Sequence, residues 1–173
     1  QKREPERYLS VMKESDQALS YLLDYYSRIE EPTMIVLFGD HQPSVEPEFY
    51  DALYGQSIDT LKPEDYLRRY ITPFFVWTNY ETESMMSVKM SAQYLSNVIL
   101  QRANLEMTDY LYFLNSMQKA APVVHMLGYY NDEMQWESWT NWREKKEYDM
   151  FHQFEMLQYN NMFEKKRTES LFR

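Results

Sequence analysis

The run Thr33-Met34-Ile35-Val36-Leu37-Phe38 ends abruptly in Gly39-Asp40-His41-Gln42-Pro43. An apolar stretch of this kind predicts a buried strand, and a buried strand needs helices packed over its sheet. Neighbouring side chains on a strand point to opposite faces, so Asp40 and His41 can meet one ion only where the strand ends and the backbone turns. Gly39 relaxes the backbone just before that point, and Pro43 prevents the ladder from continuing. A carboxylate oxygen with an imidazole nitrogen suits Mn²⁺, Zn²⁺, Mg²⁺ or Fe rather than a thiophilic ion. Strand C-termini in open α/β sheets are also where ligands bind. Two ligands do not make a site, however. The dipeptide alone is equally well read as an Asp that caps the next turn and a His that fills a cleft.

What the rest of the sequence lacks narrows the function. It has no Gly-rich phosphate loop, no second cluster of candidate ligands and no Cys, which excludes disulfides, thiolate metal sites and Cys nucleophiles. A net charge of -9 argues against a nucleic-acid or anionic-membrane partner, both of which favour basic surfaces. At 173 residues, with 17% aromatic side chains and 12 Met, the chain can build a substantial core. No apolar stretch approaches a membrane span, and no signal peptide is visible. The chain begins at Gln1 rather than Met, so a preceding segment is expected.

Periodicity predicts the elements. Leu9, Met12, Leu19, Leu22, Leu23, Tyr26 and Ile29 recur at helical spacing over residues 6–30, and Glu30-Glu31-Pro32 ends that helix. The minimal connection to Thr33 reads as the αβ half of a βαβ unit. Residues 42–63 read as loop with one short helix. Pro73–Thr78 is a second strand. Helices are expected over 84–101 and 108–119, then a short edge strand at Val123–Gly128 and a polar helical tail near 143–163.

Other chemistry-bearing residues have simpler roles. Asp16 falls on the apolar face of the first helix with Met12, Leu19 and Leu23, where a structural role is expected. His125 is read as a core or edge histidine, His152 as surface or packing, and Asn79 as a group that satisfies backbone. Trp136, Trp139 and Trp142 lie at three-residue spacing, which predicts one buried helix face rather than a carbohydrate platform.

Tyr8–Ser10, Asp16–Leu19 and Val36–Pro43 together resemble the C-terminal half of the lipoteichoic acid synthase-like sulfatase family, phosphoglycerol transferases of the alkaline phosphatase superfamily. The similarity continues through Tyr70–Tyr80 and Tyr94–Asn97 to the closing Leu157–Phe163. Gln42-Pro43 after Asp-His favours that branch over sulfatases proper and phosphoethanolamine transferases, in which Gly more often follows. Glu164 stands where the family pattern has Gly.

The resemblance implies an α/β fold: the C-terminal part of an alkaline phosphatase-like α/β/α sandwich, with two or three strands and about five helices. Residues 1–173 form a single partial domain on this reading, without the catalytic N-terminal half. Asp40 and His41 are implied as two ligands of a divalent metal, Mn²⁺ or Mg²⁺. The other ligands, an acidic residue and the Thr nucleophile, belong upstream together with a substrate-binding His, so Thr33, Thr60 and Thr72 are not candidates and this chain alone should be inactive. The implied chemistry is attack by that Thr on the phosphodiester of an anionic glycerophospholipid or glycerophosphate polymer, followed by release to an acceptor hydroxyl or water. The implied location is the outward-facing side of a bacterial cell membrane. The alternative is a non-catalytic structural or binding remnant of the same fold.

Overall fold

A computed structural model describes residues 3–173, which fall into two compact units that meet in sequence between Glu83 and Ser84. The architecture is mixed α/β, with six α-helices and two small antiparallel sheets among the described residues. It is consistent with part of an alkaline phosphatase-like fold.

The first unit holds helix α1 (Arg3–Tyr26), strand β1 (Met34–Phe38), short helices α2 (Pro47–Tyr54) and α3 (Pro63–Tyr66), and strand β2 (Phe74–Thr78). β1 and β2 pair antiparallel, with Val36 opposite Val76 and Phe38 opposite Phe74. The backbone bonds Asn79 N–H to Thr33 O (3.2 Å) and Gly39 N–H to Pro73 O (3.0 Å) extend the ladder one step at each end. Leu37 and Phe38 are exposed, so the strand read as buried is covered only along its first three residues.

α1 stops earlier than Pro32 would require, and the cause lies on β2's far end. The Asn79 amide nitrogen donates to Tyr26 O (3.2 Å), Ile29 O and Glu31 O (both 2.9 Å), while its oxygen accepts from Thr33 N–H at 2.8 Å. Carbonyls orphaned at the helix end are thus satisfied by a side chain, and the chain turns there. Asp16 is exposed on α1, as are Leu9 and Met12, so the apolar face it was placed on is not covered within this unit. Pro47 and Pro63 each open a short helix at its first turn, where a missing N–H costs nothing. Gly55 closes α2 in the left-handed region at φ 71°.

The second unit packs α4 (Leu95–Arg102), α5 (Asp109–Ala120), strands β3 (Val123–His125), β4 (Gly128–Tyr130) and β5 (Trp136–Ser138), and α6 (Tyr148–Phe163). Its core is Tyr94, Leu114, Met117, Ala121, Tyr129 and Phe151. Three expectations are corrected here. Residues 84–91 are not helical, because Ser91 pairs sideways instead: its N–H donates to Pro122 O, and its hydroxyl bridges Val124 N–H and O. The three tryptophans share no helix, since Trp136 lies on β5, Trp139 in the turn after it, and Trp142 opens a 3-10 turn. The tail helix starts at Tyr148 rather than near 143.

Two buried phenols tie this core together. Tyr94 donates to Ala121 O (2.9 Å), and Tyr129 donates to Glu147 Oε2 (2.8 Å), linking β4 to the start of α6. Burial pushes the Tyr94 phenol up to about 12. Burial, then the Glu147 carboxylate, pushes Tyr129 up further.

Two outcomes follow from these contacts. Asn79→Ala leaves one amide and several carbonyls without partners and should cost roughly 2–4 kcal/mol in urea unfolding. Unfolded tyrosines release their protons near the ordinary value of 10.0, whereas the folded pair retains them. The unfolded state thus binds fewer protons in alkali, and stability should be intact below pH 10 and fall as pH rises toward about 12. Tyr129→Phe should flatten that decline in a pH series of thermal melts.

Candidate metal centre

The turn that follows β1 is fastened on both sides of Asp40 and His41. Gly39 lies so close to the strand-entry segment that a Cβ on it would meet Thr72 Cβ at 2.9 Å. The Gln42 side-chain amide donates to Ile71 O, and the Tyr50 hydroxyl donates to Pro43 O at 3.0 Å. Between these anchors, both candidate ligands point into solvent, with 81% of the Asp40 side chain and 77% of the His41 side chain accessible.

The two side chains converge. Asp40 Oδ1 accepts from His41 N–H at 2.9 Å, which turns Oδ2 toward the ring, 3.4 Å from His41 Nε2. His41 Nδ1 lies 2.9 Å from Gln42 O. A carbonyl can only accept, so Nδ1 carries the hydrogen and Nε2 is the nitrogen turned to Asp40 Oδ2. A proton on Nε2 makes this contact an ion pair, and a cation held by Nε2 and Oδ2 would take that proton's place. Two donors each about 2.1 Å from one ion lie about 3.0–3.4 Å apart. A ligating His also ordinarily donates its second ring N–H to a carbonyl or carboxylate. The pair therefore fits two positions of an oxygen- and nitrogen-ligated cation. Among the described residues, no group of three or more His, Cys, Asp or Glu side chains could hold a metal ion.

The remaining candidates are accounted for by packing. The Thr33 hydroxyl donates to Glu31 O and the Thr60 hydroxyl to Ser57 O, while Thr72 turns its Cβ and methyl group toward Gly39. Asn79 is engaged wholly with backbone. His125 Nδ1 accepts from Leu127 N–H and its carbonyl accepts from the Trp139 indole; burial lowers its pKa. His152 stacks on Tyr148 at 5.8 Å beside Glu155. Tyr50 and the Gln42 amide were not recognised in sequence as parts of this turn's support. Pro47, followed by acidic Glu48, was the available sign that a helix would bring Tyr50 to it.

A family model described as Sulfatase matches residues 1–110. A putative cyclic beta-1,2-glucan modification protein of Rhizobium meliloti (strain 1021) is 31% identical over 113 residues, which is 64% of this chain and 18% of that protein. The chain thus spans less than a fifth of that relative's length. No solved structure matches.

The close approach at Gly39 gives a direct test of the turn. Gly39→Ala must push Thr72 and the strand ends apart, at about 1–3 kcal/mol. A lowered thermal midpoint, partly restored by Thr72→Gly, which removes the opposing Cβ, is the expected result.

Proposed function

This chain belongs to the sulfatase family, and from that premise we propose that Asp40 and His41 supply two ligands to a divalent cation, Mn²⁺ or Mg²⁺, in a phosphoglycerol transferase or sulfatase-like hydrolase. The observation that carries this reading is the His41 ring: Nδ1 is committed to Gln42 O, and Nε2 is turned to Asp40 Oδ2. With Nδ1 held, Nε2 and Oδ2 are left as a converging nitrogen and oxygen 3.4 Å apart, the spacing of two ligands of one cation. The remaining ligands, the nucleophile and the substrate-binding groups come from residues outside those described here, which complete the domain.

When bound, the cation stabilises the nucleophilic oxygen and the charge that builds on the phosphoryl or sulfuryl oxygens. Asp40 contributes anionic oxygen, and His41 a neutral nitrogen whose direction Gln42 O fixes. Their open placement leaves room for an anionic donor and for the other half of the coordination shell. In the transfer, the Thr nucleophile would form a phosphorus–oxygen bond as the bond to the donor lipid or polymer breaks and the donor oxygen leaves as a protonated alcohol; an acceptor hydroxyl or water, giving its proton to a base, would then displace the Thr oxygen. The wording of the relative's name, glucan modification, supports a carbohydrate acceptor in the cell envelope. The reaction then belongs on the outward-facing side of a bacterial cell membrane. No helix among the described residues is long and apolar enough to cross that membrane.

Calorimetric titration of the full-length gene product with MnCl₂ tests the assignment. Asp40→Ala and His41→Ala should each weaken Mn²⁺ binding by about 100-fold or more and abolish release of glycerophosphate from a phosphatidylglycerol donor. Wild-type affinity and turnover in both variants would remove Asp40 and His41 from the metal site, whereas no Mn²⁺ binding and no turnover in the wild-type protein itself would leave a structural or binding remnant as the better description.

A further inference from the structure

We infer that Tyr50 is a positioning residue for the Asp40–His41 pair, acting through Pro43 and Gln42; this rests on the metal-site reading above. Tyr50 is one of three buried core residues of its unit, with Ile58 and Leu67, and only 7% of it is exposed. Its ring is fixed from one side by the Arg69 guanidinium, 4.8 Å from the ring centroid. Arg69 also lies 5.3 Å from the Tyr66 ring and donates to the Tyr66 hydroxyl at 3.3 Å. Its buried Nε has no hydrogen-bond partner in the unit. A cation held between two aromatic faces and engaged with a phenol rather than a carboxylate makes a stiff bracket for Tyr50.

The bracket delivers a hydroxyl to Pro43 O at 3.0 Å. Proline locks φ near -65°, so the Gln42–Pro43 peptide has little freedom to turn relative to the Pro43 carbonyl carbon, and a hydrogen bond on that carbonyl restrains both. The carbonyl of that peptide is Gln42 O, the acceptor for His41 Nδ1. The chain of constraint therefore runs from the Tyr50 hydroxyl to Pro43, to Gln42 O, and to the direction of His41 Nε2. Among the described residues, the side chains of Asp40 and His41 make their polar contacts with each other and with Gln42.

The test is Mn²⁺ titration of the full-length gene product carrying Tyr50→Phe, which keeps the ring under Arg69 and deletes only the donor. Mn²⁺ affinity is expected to fall about 10-fold, as for loss of other groups that orient a metal's ligands. The far-ultraviolet circular dichroism of the metal-free protein should remain that of the wild type. Pro43→Ala frees the same linkage without touching Tyr50 and should give a loss of similar size. Wild-type affinity in either variant, alongside lost binding in Asp40→Ala, overturns the positioning role and leaves the metal site standing. Wild-type affinity in Asp40→Ala itself removes the metal site and this inference with it.

Discussion

A single carboxamide organises the first unit. Asn79 bonds to main-chain groups 46 to 53 residues away in sequence, at the end of α1, in the turn beyond it and at the first step of β1. Only an amide side chain can do this, because the site needs a donor for several carbonyls and an acceptor for one N–H. An Asp in its place would set negative charge against the Tyr26, Ile29 and Glu31 carbonyls. By fixing where α1 ends and where β1 begins, Asn79 also fixes the start of the ladder that carries the chain to Gly39. The turn that bears Asp40 and His41 is therefore aimed from its far end, five strand residues away.

The second unit is held by different means. Its centre is aromatic, with Tyr129 packed against Trp139 at 5.1 Å and Phe151 at 4.8 Å, and its buried carboxylate Glu147 is matched to a phenol. Gly128 admits the close approach of β5, since a Cβ there would fall 2.2 Å from Glu137 O. The sulfatase match stops at residue 110, at the beginning of α5. The β3–β5 sheet and α6 lie beyond it, so the part of the chain with the most complete core is the part least tied to the family.

The sequence made β1, β2, α5 and the Gly-Asp-His turn legible because their signals are local. A short apolar run between turn signals or an apolar helical face needs no partner to be recognised, and Thr108 caps α5 through its hydroxyl to Leu111 N–H as such residues do. What escaped notice depends on contacts distant in sequence. Ser91 is drawn out of a helical pattern by Val124, 33 residues later. The tryptophan spacing mimics a helix face although Gly128 and the Asn131 turn fold that stretch into hairpins. The antiparallel pairing of β1 with β2 could not be read from either strand alone. The convergence of Asp40 with His41 was anticipated from the break in the strand; the anchors from Tyr50 and Gln42 were not.

The ribbon of β1 and β2 also determines where the chain tolerates a change in length. One inserted residue between Thr33 and Gly39 shifts everything after it by about 3.4 Å and reverses which face each side chain takes. That displacement exceeds a metal–ligand bond, so the clasp at Asn79 and the turn at Asp40 could not both stay in register. The stretch around Gly55, outside the ladder and with nothing within 4 Å of a Cβ placed there, carries no such restriction. A change in length is thereby better borne beside Gly55, while the span from Thr33 to His41 needs its residue count kept.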